Sequence, residues 1–179
     1  MSRPILVSYA SKHGSTAEVA EVIAASLVER GLEVDVRPAG EVDDTARYGG
    51  VVLGAALYTG HVHRDARRFL RRHQAELSTL PVAVFAMGPQ TRDATAIASS
   101  RSQLDHALRQ VPEVAPFSVA VFGGVVDPTE LGFPFNRMSA SDARDWDAIH
   151  RWADELGARF GDVDRHVSGV LPATAVGVS

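Results

Sequence analysis

The chain contains no cysteine. That absence excludes a disulfide framework, a thiolate nucleophile and a cysteine-held iron–sulfur cluster. Nor does any apolar run approach the roughly 20 residues that a membrane-spanning helix needs. Lysine is almost missing as well: Lys12 is the only one, and every other strong cation is arginine. Lys+Arg number 18 against 22 Asp+Glu, a net charge of −4, so nothing marks a general nucleic-acid binder. At the N-terminus, Met1-Ser2-Arg3-Pro4 leads at once into an apolar run, without the regions of a signal peptide. A cytoplasmic protein is the expectation. What remains is the composition of a soluble globular chain, 45% hydrophobic and 22% charged, with 179 residues for one domain and a full core.

Against that background the pattern of apolar, β-branched runs stands out. They cover Ile5–Tyr9, Leu32–Val36, Val51–Gly54, Val82–Ala86 and Ser118–Phe122. Helical stretches over Thr16–Glu29, Val62–Ala75, Ala94–Leu108 and Ser141–Arg159 lie between or after them. Such alternation means βαβ units and a parallel sheet. Runs that are nearly all apolar suit strands covered on both faces. The expected fold is α/β, a doubly wound five-stranded parallel sheet of order 2-1-3-4-5. In that topology ligands sit beyond the carboxyl ends of the strands, which places the loops 10–16, 55–62, 87–93 and 123–140 at the site. The long link from Val36 to Val51 is read as a loop or one short helical turn. Residues 1–160 form the expected domain, and 161–179 an expected C-terminal tail, rich in small residues.

The first of those loops, Ser11-Lys12-His13-Gly14-Ser15-Thr16, joins a strand to a helix. Its backbone N–H groups and the positive end of the helix dipole converge on one spot suited to an anion. Ser11, Ser15 and Thr16 can add hydroxyl donors, and Gly14 permits close approach or a positive φ. A terminal phosphate monoester fits. The nucleotide P-loop pattern and the dinucleotide G-x-G-x-x-G are both absent. An ordinary N-capped helix after a strand stays open as the alternative.

The stretch Val7 to Ile23 resembles the flavodoxin signature, with Tyr9, Ser11, Gly14, Thr16, Ala20 and Ile23 at its positions. A second stretch, Val51 to His63 through Leu57-Tyr58-Thr59-Gly60-His61, resembles the same segment of the menaquinone-dependent protoporphyrinogen IX dehydrogenases, as do Phe69, His73 and Trp146 further on. The resemblance implies a flavodoxin-like fold and FMN as cofactor. The loop 10–16 would hold the phosphate. Leu57, Tyr58, Thr59 and Gly60 on one side, and Met87, Gly88, Pro89 and Gln90 on the other, would flank the isoalloxazine. It also implies an FMN-dependent oxidoreductase that passes electrons from a small-molecule reductant to a quinone or redox-protein acceptor. A flavodoxin-type electron carrier and a non-catalytic flavin-binding module stay open as alternatives, as do peripheral membrane contact and a homodimer.

Other residues frame that reading. Tyr58 offers a ring able to stack on a flavin face, or a turn tyrosine packed on the helix. His61 is the candidate proton donor. His61 and His63, two apart with no third ligand nearby, are not read as a metal pair. The loop after the fourth predicted strand has no aromatic, which leaves a flavin face open. Arg64, Arg67, Arg68, Arg71 and Arg72 make either a solvated helix face or a strip that attracts an acidic partner, a carboxylated substrate or anionic lipid. Leu131-Gly132-Phe133-Pro134-Phe135 is the most apolar loop, a lid on the core or a surface facing substrate or partner.

Overall fold

In a computed structural model the described residues are 2–12, 14–58, 60–89, 93–126 and 141–167. The elements run β1 (Ile5–Ala10), α1 (Ser15–Glu29), β2 (Val34–Pro38), a 3-10 turn (Ala39–Glu41), β3 (Gly50–Tyr58), β4 (His61–Val62), α2 (Arg64–Arg72), α3 (Gln74–Leu77), β5 (Val82–Met87), α4 (Ala94–Leu108), β6 (Ser118–Phe122), β7 (Val125–Val126), β8 (Ser141–Asp142) and α5 (Trp146–Val167). β2, β1, β3, β5 and β6 lie side by side in that order, all parallel. With the two-residue β4 set aside, this is the order expected from the sequence. β7 and β8 form a separate antiparallel pair.

The strands bury both faces because their side chains alternate between two apolar layers. One face carries Ile5, Val7, Val52, Ala83, Phe85, Met87 and Phe122, covered by Val19, Ile23 and Leu27 of α1 and by Ile149, Trp152, Leu156 and Phe160 of α5. The other carries Leu6, Ala10, Val51, Leu53, Ala55, Val82, Val84 and Ala86, under Ala66, Phe69 and Leu70 of α2, Leu77 of α3 and Leu104 of α4. On the first face the aromatic rings interlock. Phe85 meets Phe122 and Trp152 at centroid distances of 6.0 and 5.9 Å. The Trp152 indole donates to Ser118 Oγ at 2.8 Å, so the polar edge of this buried ring is satisfied. Gly54 makes the layer possible: a Cβ there would stand 2.2 Å from Phe85 Cζ.

Two helices differ from the sequence expectation, each for local reasons. The helix expected over 62–75 starts at Arg64, because Val62 and His61 fold back onto Leu57 and Tyr58 as β4. His63 then caps α2, its Nδ1 accepting from Asp65 N–H at 3.2 Å. α2 stops at Arg72, where the buried His73 leaves helical geometry and brings Nε2 within 3.2 Å of Val42 O. The helix expected over 141–159 begins at Trp146, behind Asp145, whose Oδ1 accepts from Ala148 N–H at 3.0 Å. It then runs on to Val167, beyond the start of the expected tail, since Arg165 and His166 both bond back to Asp162.

The long link after β2 holds the short 3-10 turn and a polar knot. A single oxygen of Asp35 accepts from Tyr48 Oη at 2.6 Å, Arg37 Nε at 2.8 Å and Arg47 Nη2 at 2.9 Å. Burial alone would raise the Asp35 pKa. These donors outweigh it and hold the carboxyl below its ordinary value.

Candidate functional site

Chain connections leave β1 toward β2 on one side and β3 on the other, so the crevice beyond the ends of β1 and β3 is the topological switch point. Two turns meet there. The first follows β1. Gly14, at φ 85°, is the N-cap of α1 and offers no side-chain cap. Its own N–H donates to Ser11 Oγ at 3.1 Å, and Gly14 O accepts the first helical bond from Glu18 at 3.0 Å. The first-turn N–H groups of a helix have no intrahelical acceptor, and here no side chain supplies one. Thr16 lies in that turn fully buried, with its Oγ1 bonded to nothing. A buried hydroxyl without a partner is costly. An anion oxygen is what both the hydroxyl and the N–H groups lack.

The second turn follows β3. Tyr58 pairs with His61 across a two-residue turn, with Gly60 at φ 82°, the region that a tight turn needs and glycine enters without strain. The two turns touch: Lys12 N–H donates to Tyr58 Oη at 3.3 Å. The Tyr58 phenol therefore reaches the loop 10–16, and its ring meets the His63 ring edge-on at 6.0 Å.

A third segment, after β5, closes the crevice. Gly88 N–H donates to Phe122 O and Gly124 N–H to Pro89 O, both at 2.8 Å. Ala143 N–H donates to Gly124 O at 3.0 Å, which ties β8 to the same wall. Arg144, just past β8, then reaches Asp142 and Glu18, the latter in the first turn of α1. Hydrogen bonding to Asp142 first, then to Glu18, raises its pKa above the usual arginine value despite burial. This clamp between α1 and the segment before α5 had no signal in the sequence, since Glu18 and Arg144 stand 126 positions apart.

The expected site residues thus divide. Ser11, Lys12, Gly14, Ser15 and Thr16 form one loop, joined by Tyr58, with Gly60 on the neighbouring turn. Gly88 and Pro89 give backbone to the third wall. Leu57 is half-buried against the α2 and α4 layer, and the Met87 side chain is buried among Phe85 and Phe122. His61 is exposed in β4 beside Gly60. His13, Thr59 and Gln90 lie outside the described residues, as does the apolar stretch 131–135. Among the described residues no helix is long and apolar enough to cross a membrane.

A parallel sheet in this order, with an uncapped helix start at its switch point, defines the flavodoxin class of doubly wound α/β proteins. The chain belongs to the flavodoxin domain family, which it matches over residues 6–138. It is similar to protoporphyrinogen IX dehydrogenase (quinone) of Escherichia coli strain K12, 29% identical over 84 residues, 46% of this chain and 46% of that one. The match thus spans about half the length of that relative. Among solved structures, a flavodoxin from the domain Archaea superposes with a TM-score of 0.58 at 12% identity, covering 88% of this chain and 99% of that one. The rubredoxin oxygen:oxidoreductase of Desulfovibrio gigas gives 0.60 at 12% identity, over 90% of this chain and 37% of that one. At such identities the structural matches speak to the fold.

Proposed function

We propose that the chain binds FMN non-covalently, its phosphate in the loop 10–16, and works in the cytoplasm as an oxidoreductase. It would take electrons from a reduced small molecule and pass them to a quinone or a redox-protein acceptor. The observation that carries this reading is the start of α1: an uncapped 15-residue helix with a buried, partnerless Thr16 hydroxyl at the switch point. A phosphate monoester supplies the missing acceptor to both.

When bound, the flavin supplies reversible electron and hydride transfer, and the protein's task is to hold it, tune it and admit substrate. Ser11 and Gly14 shape the phosphate turn. Tyr58 and Gly60 stand where the ring would lie along one side. Gly88 and Pro89, fixed by backbone bonds to β6 and the segment after it, stand on the other. His61, exposed beside Gly60, is the candidate proton donor on this edge. Similarity to the E. coli enzyme supports the dehydrogenase reading. An electron carrier is the second reading, since the family match is to a flavodoxin domain. A quinone acceptor is compatible with peripheral membrane contact, and the reading accommodates a homodimer.

The test is anaerobic. FMN-loaded protein is mixed with protoporphyrinogen IX, and flavin absorbance and porphyrin fluorescence are followed together before menaquinone is added. Bleaching with matching porphyrin, then recovery on quinone addition, is expected. Protein that dithionite bleaches but protoporphyrinogen does not would remove that substrate and favour the carrier.

A further inference from the structure

Between α2 and α4, on the face of the sheet opposite α1 and α5, lies a groove of about 530 Å3. One wall presents Arg67, Leu70 and Arg71, which share a helix face by their spacing of three and four. The other presents small polar residues of α4 and, just past its end, Arg109 and Val111. No carboxylate lines it. Arg64 and Arg72, on the same helix α2, are paired with Asp65 at 3.6 Å and Asp43 at 3.2 Å. Among the described residues Arg67, Arg71 and Arg109 have no such partner, although the chain as a whole carries a net charge of −4. Three arginines without an ion-pair partner thus meet on one concave surface.

We propose that this groove binds a small phosphorylated organic anion of nucleotide type. Its volume lies within the range of small-molecule sites, about 300–1,000 Å3. Three guanidinium forks on two elements exceed what a single carboxylate can accept. A diphosphate has the charge and the oxygens to take them bidentately. Ser102 and Gln103 offer hydroxyl and amide groups for a sugar or base. The groove shares Gly60 and His61 with the turn assigned to the flavin ring but takes in no residue of the start of α1, and the arginines it rests on are not used in the FMN reading.

The experiment is calorimetric titration of the full chain with ADP at low ionic strength, with citrate as the carboxylate comparator. Saturable binding near one equivalent is expected. The triple variant Arg67→Gln, Arg71→Gln, Arg109→Gln should weaken it at least about 30-fold, the loss of several charge-assisted bonds. These side chains are exposed, and an unchanged circular dichroism spectrum establishes that the variant is folded. Thr16→Ala should leave ADP binding unchanged. Absence of ADP binding, a triple variant that binds like wild type, loss of binding in Thr16→Ala, or citrate binding as tightly as ADP would each overturn the assignment.

Discussion

At the scale of single residues, two polar groups behave in opposite ways. Thr16 Oγ1 is left without a partner at the mouth of the site, whereas Asp35 gathers three donors far from it. The first is a donor suited to a ligand oxygen; the second is a structural tie between β2 and the turn at Tyr48. Because its donors hold the Asp35 carboxyl below the ordinary value, the folded protein binds this proton less readily than the unfolded chain. The tie therefore stabilises above the ordinary aspartate pKa of about 3.9 and is lost as pH falls through the lower folded value. Asp35→Asn should cost about 1–2 kcal/mol at pH 7, the worth of a charged hydrogen-bond cluster at a partly exposed site. In urea denaturation between about pH 5 and pH 2, wild type should lose more stability than the variant. Parallel acid profiles would mean that Asp35 is not the group responsible.

At the scale of elements, the sheet depends on shape as much as on apolarity. Gly54 on β3 lets the Phe85 ring lie flat on its neighbour strand, and that ring is held by Phe122 and Trp152. Gly54→Ala would drive a Cβ into a ring with nowhere to move. A loss of about 1–3 kcal/mol is expected, a drop in Tm of several degrees in a thermal melt. An unchanged Tm would show that the Phe85 layer is loosely packed. The main strands and their order were legible because each is a dense apolar run between turn signals. β4 was not, because two residues are too few to show a period, and the pattern from Val62 onward already reads as helix. The extra turns of α5 were hidden by Gly161, a poor helix residue in isolation. The turn that opens α1 was legible because it is local: Ser11, Gly14 and Thr16 lie within six positions. The Lys12–Tyr58 bond, the Arg144 clamp and the cationic groove were not, since each joins distant parts of the chain only after folding.

At the scale of the whole molecule, topology and local chemistry agree on one place. The switch point of the sheet, the uncapped start of α1 and the turn at Gly60 coincide, and the family match covers all three. The central claim is that this place recognises a flavin through its phosphate. It is tested most directly by titrating the flavin-free protein with FMN and, separately, with riboflavin, which has the same ring and no phosphate, following flavin fluorescence. FMN should bind at least about tenfold more tightly, since even one charge-assisted contact is worth about 1.5–3 kcal/mol. Thr16→Ala should weaken FMN by about 1–3 kcal/mol, leave riboflavin nearly unchanged, and so narrow the gap. Protein that binds neither flavin, or riboflavin as tightly as FMN, would contradict the account.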